Sequence, residues 1–198
     1  MAREQDHYTR RALSEGYPAR SVYKLEEIQN RFGVITRGAR VLDIGASPGS
    51  FSIYALKIVG GAGFLVAVDL KDEMPDLPEN RFTFFHGDAF SESVISKILS
   101  LSPFDCVLSD AAPSTTGNRT VDTARSFTLA EQAISLALRV LAPGGNVVVK
   151  VFQGGDEREL LESLKSAFDS ARMVKPKASR KGSFEVFLVA KGFKDGHR

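Results

Sequence analysis

One lysine interrupts a valine-rich segment of the sequence. The segment is GNVVVKVFQGG, residues 145–155, and four of its five residues from 147 to 151 are valine. A run of valines is typical of a strand that is buried in a parallel sheet. An isolated ammonium there costs free energy unless it is paired or loses its proton, although a lysine at a strand end commonly reaches water through its flexible stem. A chemical role for Lys150 therefore requires charged neighbours.

Three further charged residues are candidates for those neighbours. Asp110 ends the apolar segment FDCVLSD, which is predicted to be the adjacent strand, and Glu185 interrupts the apolar segment SFEVFLV. Lys24 interrupts the apolar pattern of a predicted N-terminal helix. Two lysines and two carboxylates nearly balance in charge, and a second cation beside Lys150 would favour the neutral amine that a general base requires.

A short glycine-containing loop follows the first predicted strand, in the segment VLDIGASPGSF. Glycines allow a sharp turn and let the backbone approach a ligand closely. The spacing is neither the GxGxxG of a dinucleotide site nor the GK[ST] ending of a phosphate loop, so both of these sites are disfavoured. A nucleoside that bears a less anionic group, such as S-adenosylmethionine, fits the loop better, and a plain strand-to-helix turn is the alternative. The candidate contacts in this loop are Asp43, Gly45, Pro48 and Gly49.

Aspartates also follow the next predicted strands. Asp69 lies 20 residues after Gly49, near the offset at which an acidic residue meets a ribose diol in nucleotide-binding folds. Asp88 follows the third strand and could accept a hydrogen bond from the adenine amino group, while Asp110 follows the fourth. Each aspartate has an alternative role as a capping or turn residue, but four successive strand ends with an aspartate favour a ligand site.

The hydrophobic periodicity predicts alternating helices and strands. Such alternation implies right-handed βαβ units and a mainly parallel sheet, in which ligands bind beyond the carboxyl ends of the strands. Helices are predicted at 4–15, 21–32, 50–59, 91–101, 122–141 and 156–169. Strands are predicted within 39–49 and at 63–70, 81–88, 104–110 and 146–152, with a final pair near 172–175 and 184–190.

The composition favours one globular domain in a reducing compartment. The chain has 198 residues, 43% of them hydrophobic, which is enough for a single core. No apolar run approaches the roughly 20 residues of a membrane span, and the polar N-terminus is not a secretory signal. Cys106 is the one cysteine, so neither a disulfide framework nor a cysteine-rich zinc site is expected, and a cytoplasmic location is predicted.

Charge is distributed unevenly along the chain. Residues 1–40 carry a net charge of +3 and residues 172–198 carry +6, whereas the central residues 41–171 carry −7. Basic segments of this kind can supply phosphate contacts to a nucleic acid. Ordinary solvated lysines and arginines are the alternative interpretation.

Together these segments resemble the FtsJ-like ribose 2′-O-methyltransferase family. The resemblance extends from about Tyr8 to Lys194, and the segments follow one another in the family's order and spacing. They are RSVYKLEEI, VLDIGASPGSF, VAVDL, GDAF, VLSDAAPSTTGN, LAPGGNVVVKVFQG and KPKASRKGSFEVFLVAKG. The resemblance implies a Rossmann-like α/β fold of S-adenosylmethionine-dependent methyltransferases, with a mainly parallel sheet, an antiparallel last strand and helices on both faces.

The resemblance also implies site residues and a reaction. The family's catalytic tetrad corresponds to Lys24, Asp110, Lys150 and Glu185. Its S-adenosylmethionine contacts correspond to Gly49, Phe51, Asp69, Asp88 and Asp110. The implied reaction moves the methyl group to a 2′-hydroxyl of RNA without a metal and leaves S-adenosylhomocysteine, with Lys150 as the general base.

The expected substrate is a uridine of large-subunit ribosomal RNA within the assembled subunit. We expect a monomer without membrane contact, made of one methyltransferase domain over 1–198. Its first part, 1–36, would be a helical extension that faces RNA, and 37–198 would be the catalytic core. The expected RNA contacts are Arg20, Lys175, Lys177, Arg180 and Lys181.

Two segments depart from the family pattern. The loop has SPGSF where the family more often has APGGW, so Phe51 keeps an aromatic ring but lacks an indole N–H. The segment AAPSTTGN replaces the more usual APNMSG where substrate would enter. The alternatives that remain are a tRNA ribose methyltransferase, a non-catalytic RNA-binding ribosome-assembly factor, and a small-molecule or protein methyltransferase. A nucleotide-binding oxidoreductase is disfavoured by the glycine spacing.

Overall fold

A computed structural model describes residues 2–180 and 182–194, with side chains from residue 7 onward. Within these residues the chain forms six α-helices around one seven-stranded sheet. The helices are α1 (Ala2–Ser14), α2 (Val22–Phe32), α3 (Ser50–Val59), α4 (Glu92–Ser100), α5 (Arg119–Val140) and α6 (Glu157–Ala167). The strands are β1 (Arg40–Ile44), β2 (Phe64–Asp69), β3 (Phe82–His86), β4 (Phe104–Ser109), β5 (Leu141–Phe152), β6 (Phe168–Val174) and β7 (Glu185–Phe193).

The sheet has the strand order β3-β2-β1-β4-β5-β7-β6. All neighbours from β3 to β5 pair in parallel, and β7 pairs antiparallel with both β5 and β6. The predicted α/β fold with a mainly parallel sheet and an antiparallel last strand is therefore confirmed. The strand order reverses between β1 and β4, and in such sheets the ligand site lies beyond the carboxyl ends of the strands at this reversal.

Both faces of the sheet are covered by helices, which the fold prediction required. One apolar cluster joins α4, α5 and α6 to the sheet, and the other joins α2 and α3 to its opposite face. In β5, Val147, Val149 and Val151 belong to the first cluster and Val148 belongs to the second. The valine run is thus buried on both faces, as predicted, and Lys150 lies on the same face as Val148 because side chains alternate along a strand.

The N-terminal segment packs on the same face as Lys150. The predicted apolar face of α2 is confirmed, since Val22, Leu25 and Ile28 are all buried in the second cluster. Ala12 of α1 and Val41 of β1 belong to that cluster too. Residues before 37 therefore share apolar contacts with the sheet, although the division into an extension and a catalytic core stays a prediction.

Three predicted boundaries were wrong. Helix α5 begins at Arg119 rather than at 122 because the Asn118 side chain accepts hydrogen bonds from the N–H groups of Thr120 and Val121, which caps the helix early. Strand β5 begins at Leu141, which pairs with Phe104 ahead of a register shift, so the segment LAPGG is part of the strand. Strand β6 begins directly after α6 and not near 172. No helix within the described ranges 2–180 and 182–194 is long and apolar enough to cross a membrane.

Candidate active site

The sheet brings Lys150 and Asp110 together. Lys150 lies near the carboxyl end of β5, and Asp110 follows the end of the neighbouring parallel strand β4. The Lys150 Nζ atom lies 2.9 Å from Asp110 Oδ1, and it also donates a hydrogen bond to the Asp110 backbone carbonyl. The two side chains are only 8% and 18% exposed, so the ammonium is held in a nearly dry site by one residue.

Lys24 and Glu185 form a second ion pair on the same face of the sheet. The Lys24 Nζ atom of α2 lies 2.6 Å from Glu185 Oε1 at the start of β7, and both side chains are 13% exposed. Phe187 lies opposite Lys150 in the β5–β7 register, and Lys24 Nζ is 5.9 Å from the centroid of its ring. Residues directly opposite in an antiparallel pair share a face. Both ion pairs thus lie on the face of the sheet that carries Phe187.

This arrangement balances its charges in two separate pairs. Among the described side chains, each lysine has one carboxylate partner within 4 Å, Asp110 for Lys150 and Glu185 for Lys24. Asp110 Oδ1 is buried and forms an ion pair with Lys150 Nζ at 2.9 Å, while Lys150 also donates to the Asp110 carbonyl. The site therefore holds the Lys150 amine in a fixed position beside a carboxylate.

A cleft of about 530 Å³ opens beside Asp110 at the carboxyl ends of β1, β2, β3 and β4. This volume lies within the range of small-ligand sites. Four of the predicted cofactor residues line the cleft, and they come from four different strand ends: Gly45, Asp69, Asp88 and Asp110.

Asp69 and Asp88 also shape the walls of this cleft. Asp69 Oδ2 accepts a hydrogen bond from the Ser47 N–H at 2.9 Å, and its Oδ1 accepts one from the Lys71 N–H at 2.8 Å. Asp88 Oδ1 accepts one from the Phe90 N–H at 2.9 Å. The turn-forming role that was the alternative interpretation is thus real for both. Because each carboxylate oxygen has two lone pairs, both aspartates can still accept from a ligand.

Gly45 holds the loop after β1 against the loop after β4. Its φ is +76°, and a Cβ atom built on it would lie 2.6 Å from the N and Cα atoms of Ala111, the residue after Asp110. No side chain fits in that space, and an L residue is strained at this φ. The backbone of the loop after β1 therefore contacts the backbone of Ala111, the residue that follows Asp110.

We expect Gly45→Ala to lower the free energy of unfolding by about 2 kcal/mol or more, through backbone strain and displacement of Ala111. The matched control is Gly38→Ala. Gly38 has a nearly equal φ of +77° and no atom within 4 Å of a Cβ built on it. The Gly38→Ala variant should therefore lose stability through backbone strain alone. Urea unfolding of both variants measures the difference. Equal losses in the two variants would contradict the close-contact explanation.

Four predicted cofactor residues do not line the cleft. They are Asp43, Pro48, Gly49 and Phe51. Asp43 is fully buried, and Phe51 is 3% exposed with its ring centroid 6.5 Å from that of Phe187. Gly49 has a φ of +97°, and a Cβ there would lie 2.5 Å from Pro75 Cδ. Any contact of Phe51 with a cofactor would thus use its backbone, and the predicted roles of these residues stay predictions.

Asp43 is a buried carboxyl group beneath the glycine loop. Its Oδ2 atom accepts a hydrogen bond from Ser52 Oγ at 2.7 Å, while Oδ1 has no partner among the described residues. Burial raises the pKa of Asp43 to about 7, against the smaller lowering effect of the Ser52 hydrogen bond. Proximity to Asp110 and Asp69 raises this pKa further. The folded protein therefore binds the Asp43 proton more tightly than the unfolded chain does.

We expect Asp43→Asn to remove a pH dependence of stability. Because the folded-state pKa is raised, the contribution of Asp43 is fully present below the unfolded pKa and is lost as the pH rises through about 7. We expect the difference in unfolding free energy, variant minus wild type, to increase by roughly 3 kcal/mol from about pH 5 to pH 8. Urea unfolding across this range tests it, with exposed Asp72→Asn as the control. A constant difference across the range would contradict the raised pKa.

Several residues of the cleft were not predicted from the sequence. Leu70 is 71% exposed, and it lines the cleft together with Phe90, Arg125 and Leu129. Leu70 follows Asp69 directly and Phe90 lies within GDAF, so both could have been found from their position after a strand end. Arg125 and Leu129 are four residues apart and share one face of α5. Nothing in the sequence indicates that this face meets the cleft.

Two of the predicted RNA contacts line a second cleft. Arg20 and Arg180 line a cleft of about 350 Å³ that also contains Lys24 and Glu185. Arg20 donates a hydrogen bond to the Ala178 carbonyl, and its guanidinium lies 5.1 Å from the centre of the Tyr8 ring. Lys175, Lys177 and Arg180 are exposed, and Lys181 lies outside the described residues.

No group of three or more His, Cys, Asp or Glu side chains within the described part of the chain is arranged to hold a metal ion. The fully buried Cys106 has a raised pKa, chiefly because burial disfavours its thiolate. The expectation of a reaction without a metal stays a prediction.

Comparison with known proteins identifies close relatives over nearly the whole chain. The family model of FtsJ-like methyltransferases matches residues 17–193. Ribosomal RNA large subunit methyltransferase E of Treponema denticola is 46% identical over 191 residues, which cover 96% of each chain. The protein of the same name from Borreliella afzelii is 50% identical over 188 residues, which cover 95% of this chain and 98% of the relative.

Solved structures agree with these sequence relatives. A protein described as a ribosomal RNA methyltransferase from Plasmodium falciparum superposes with a TM-score of 0.77 at 28% identity, covering 89% of this chain and 98% of that one. Human methyltransferase-like protein 13, at 13% identity and a TM-score of 0.57, supports the fold alone. The match over residues 17–193 and the near full-length relatives show that this chain belongs to the FtsJ-like methyltransferase family.

Proposed function

We propose that the protein methylates a ribose 2′-hydroxyl of large-subunit ribosomal RNA, with S-adenosylmethionine as the methyl donor. The observation that carries this proposal is the buried Lys150–Asp110 pair at the edge of the 530 Å³ cleft. A methyl transfer to a hydroxyl needs an amine or another base at this position, since the hydroxyl must lose its proton. The relatives named as ribosomal RNA large subunit methyltransferase E support the choice of RNA.

The cleft fits a zwitterionic nucleoside such as S-adenosylmethionine. Its carboxylates at Asp69, Asp88 and Asp110 can accept hydrogen bonds from a ribose diol, an adenine amino group and an ammonium group respectively. Leu70 and Phe90 supply apolar surface for a flat base. When bound, the cofactor supplies an activated methyl group on a sulfonium, so the chain itself must bind, orient and remove a proton.

The tetrad would divide this work between its two ion pairs. Asp110 fixes the position of Lys150, and in its neutral form the Lys150 amine accepts the 2′-hydroxyl proton at Nζ. Lys24 and Glu185 lie on the same face, near Phe187, and can hydrogen-bond to the ribose hydroxyls from the side of the N-terminal helices. Both pairs are largely shielded from water, which strengthens their interactions with a bound ribose.

We further propose that the acceptor is a uridine and that the protein acts as a cytoplasmic monomer on the assembled subunit. The basic residues that the sequence predicts as RNA contacts would hold the phosphate backbone. They are Arg20, Lys175, Lys177, Arg180 and Lys181.

The test is transfer of a labelled methyl group from S-adenosylmethionine to four substrates. These are large subunits and extracted large-subunit RNA from cells that lack the protein, tRNA, and a protein extract from the same cells. We expect label in the large subunits, at one ribose, mapped by mass spectrometry of RNA digests. Label in tRNA or in protein, and not in large subunits, would show that the substrate is not large-subunit RNA. Binding of subunits without any label would indicate an assembly factor.

A further inference from the structure

Two aromatic rings lie side by side in the second cleft without a role in the proposed reaction. The ring centroids of Phe152 and Phe184 are 4.8 Å apart, at an interplanar angle of 69°. Both residues are only partly buried, and both line the 350 Å³ cleft that contains Lys24 and Glu185. The Arg119 guanidinium carbon lies 5.5 Å from the centre of the Phe184 ring. The exposed part of these rings, next to the proposed catalytic side chains, could stack against a planar ligand.

The rings are held in place by three parts of the chain. Phe152 is the last residue of β5 and lies opposite Glu185 of β7 in the strand register. The Gln153 N–H donates a hydrogen bond to the Phe184 carbonyl at 2.6 Å. Arg119 begins α5 and contacts the Gln153 carbonyl at 3.5 Å. The pair is therefore fixed to the strand that carries Lys150.

The spacing of Lys150 and Phe152 along β5 suits one nucleotide. Phe152 follows Lys150 by two residues on the same side of β5, so the two Cα atoms are about 7 Å apart. In a nucleotide the base is joined to the ribose carbon next to the one that carries the 2′-hydroxyl. With the hydroxyl at Lys150, the attached base or its neighbour would reach the rings.

We propose that Phe152 and Phe184, backed by Arg119, form a stacking site for a nucleobase of the RNA substrate. This inference rests on the proposed function, because the ribose must lie at Lys150. Stacking on an aromatic ring tolerates any base and needs that base to be unpaired, and an arginine beside the ring adds a cation–π contribution. The substrate class is therefore RNA whose acceptor region is single-stranded or extruded. The alternative is a packing contact that only closes the end of β5.

The absence of tryptophan from the chain gives a direct test. Phe184→Trp would contain a single tryptophan at the proposed site. We expect a short oligouridylate, added with S-adenosylhomocysteine, to quench the fluorescence of this variant, and an oligonucleotide of abasic riboses to leave it unchanged. The matched control is Phe64→Trp, because Phe64 is also partly buried with an arginine 5.2 Å from its ring centre but lies at the start of β2, away from the carboxyl ends.

Kinetics on large subunits from cells lacking the protein give a second test. We expect Phe184→Leu, which keeps apolar volume but removes the ring, to raise KM for the subunits roughly tenfold and leave cofactor affinity unchanged. Phe184→Tyr should keep wild-type KM. An unchanged KM in the leucine variant, or equal quenching by the abasic oligonucleotide, would overturn the stacking site.

These outcomes separate the inference from the function. Wild-type methylation of large subunits combined with no quenching of Phe184→Trp would overturn the stacking site alone. Quenching by oligouridylate combined with no methylation of any RNA would overturn the methyltransferase activity and keep the site as an RNA contact.

Discussion

Lys150→Ala is expected to reduce methylation of large subunits by about 10²- to 10⁴-fold, the range that a positioned general base contributes. The lysine is 8% exposed and lies 2.9 Å from Asp110 Oδ1, so its amine has a fixed position that alanine cannot supply. Cofactor binding should persist, since Lys150 does not line the 530 Å³ cleft. Transfer of a labelled methyl group and calorimetric titration with the cofactor measure the two quantities separately.

Lys150→Arg tests whether Lys150 acts as a proton acceptor or only as the positive partner of Asp110. An arginine keeps the positive partner of Asp110, but its guanidinium stays protonated and has no acceptor atom. We therefore expect a folded, cofactor-binding and inactive protein. Lys165→Ala is the matched control, because Lys165 is 48% exposed in a surface pair with Glu162 and should keep full activity. Substantial activity in the arginine variant would rule out Lys150 as the base.

The second large effect is expected from Glu185→Ala. The Lys24–Glu185 pair is 13% exposed on both sides, and removal of the carboxylate leaves a largely buried ammonium without its partner. Loss of one member of such a pair costs about 3 kcal/mol or more in unfolding free energy. Methylation should fall as well, because Glu185 lies where we propose that the ribose binds. Glu162→Ala, which breaks an exposed pair, should change stability by less than about 1 kcal/mol.

A charge swap distinguishes stability from activity. The double variant Lys24→Glu with Glu185→Lys keeps one cation and one anion at the same two places. We expect thermal unfolding to show most of the lost stability restored relative to Glu185→Ala. The labelled-methyl assay should still show low activity, since the ammonium and carboxylate have exchanged positions relative to the ribose. Full recovery of activity in the swap would leave the pair with a structural role only.

The order of the helices and strands and the carboxyl ends of the central strands could be predicted because local sequence determines them. The run NVVVKVF is typical of a strand buried on both faces, and the parallel pairing of β4 with β5 places Asp110 next to Lys150. The early start of α5 and the long β5 were missed because both depend on contacts outside the local pattern. Asn118 caps α5, and Leu141 pairs with Phe104 across a register shift.

Only those residues of the site that lie at the ends of strands could be predicted from the sequence. Gly45, Asp69, Asp88 and Asp110 all line the cleft, as their positions indicated. Phe51 was chosen by resemblance, but its ring is buried against Phe187, because the first turn of α3 faces the core. Arg125 was missed because it reaches the cleft from a helix, and the packing of one helix face against a loop has no signal in the sequence.

The alternation of faces along β5 gives Lys150 a part in folding as well as in chemistry. A shift of β5 by one residue would turn every side chain to the other face and move the ammonium into the cluster formed with α4, α5 and α6. The buried residues of that cluster are apolar, so an ammonium placed among them would cost several kcal/mol. The valines around Lys150 fit either face equally well. Within this run, Lys150 is therefore the residue that favours the native register of β5 over a register shifted by one residue.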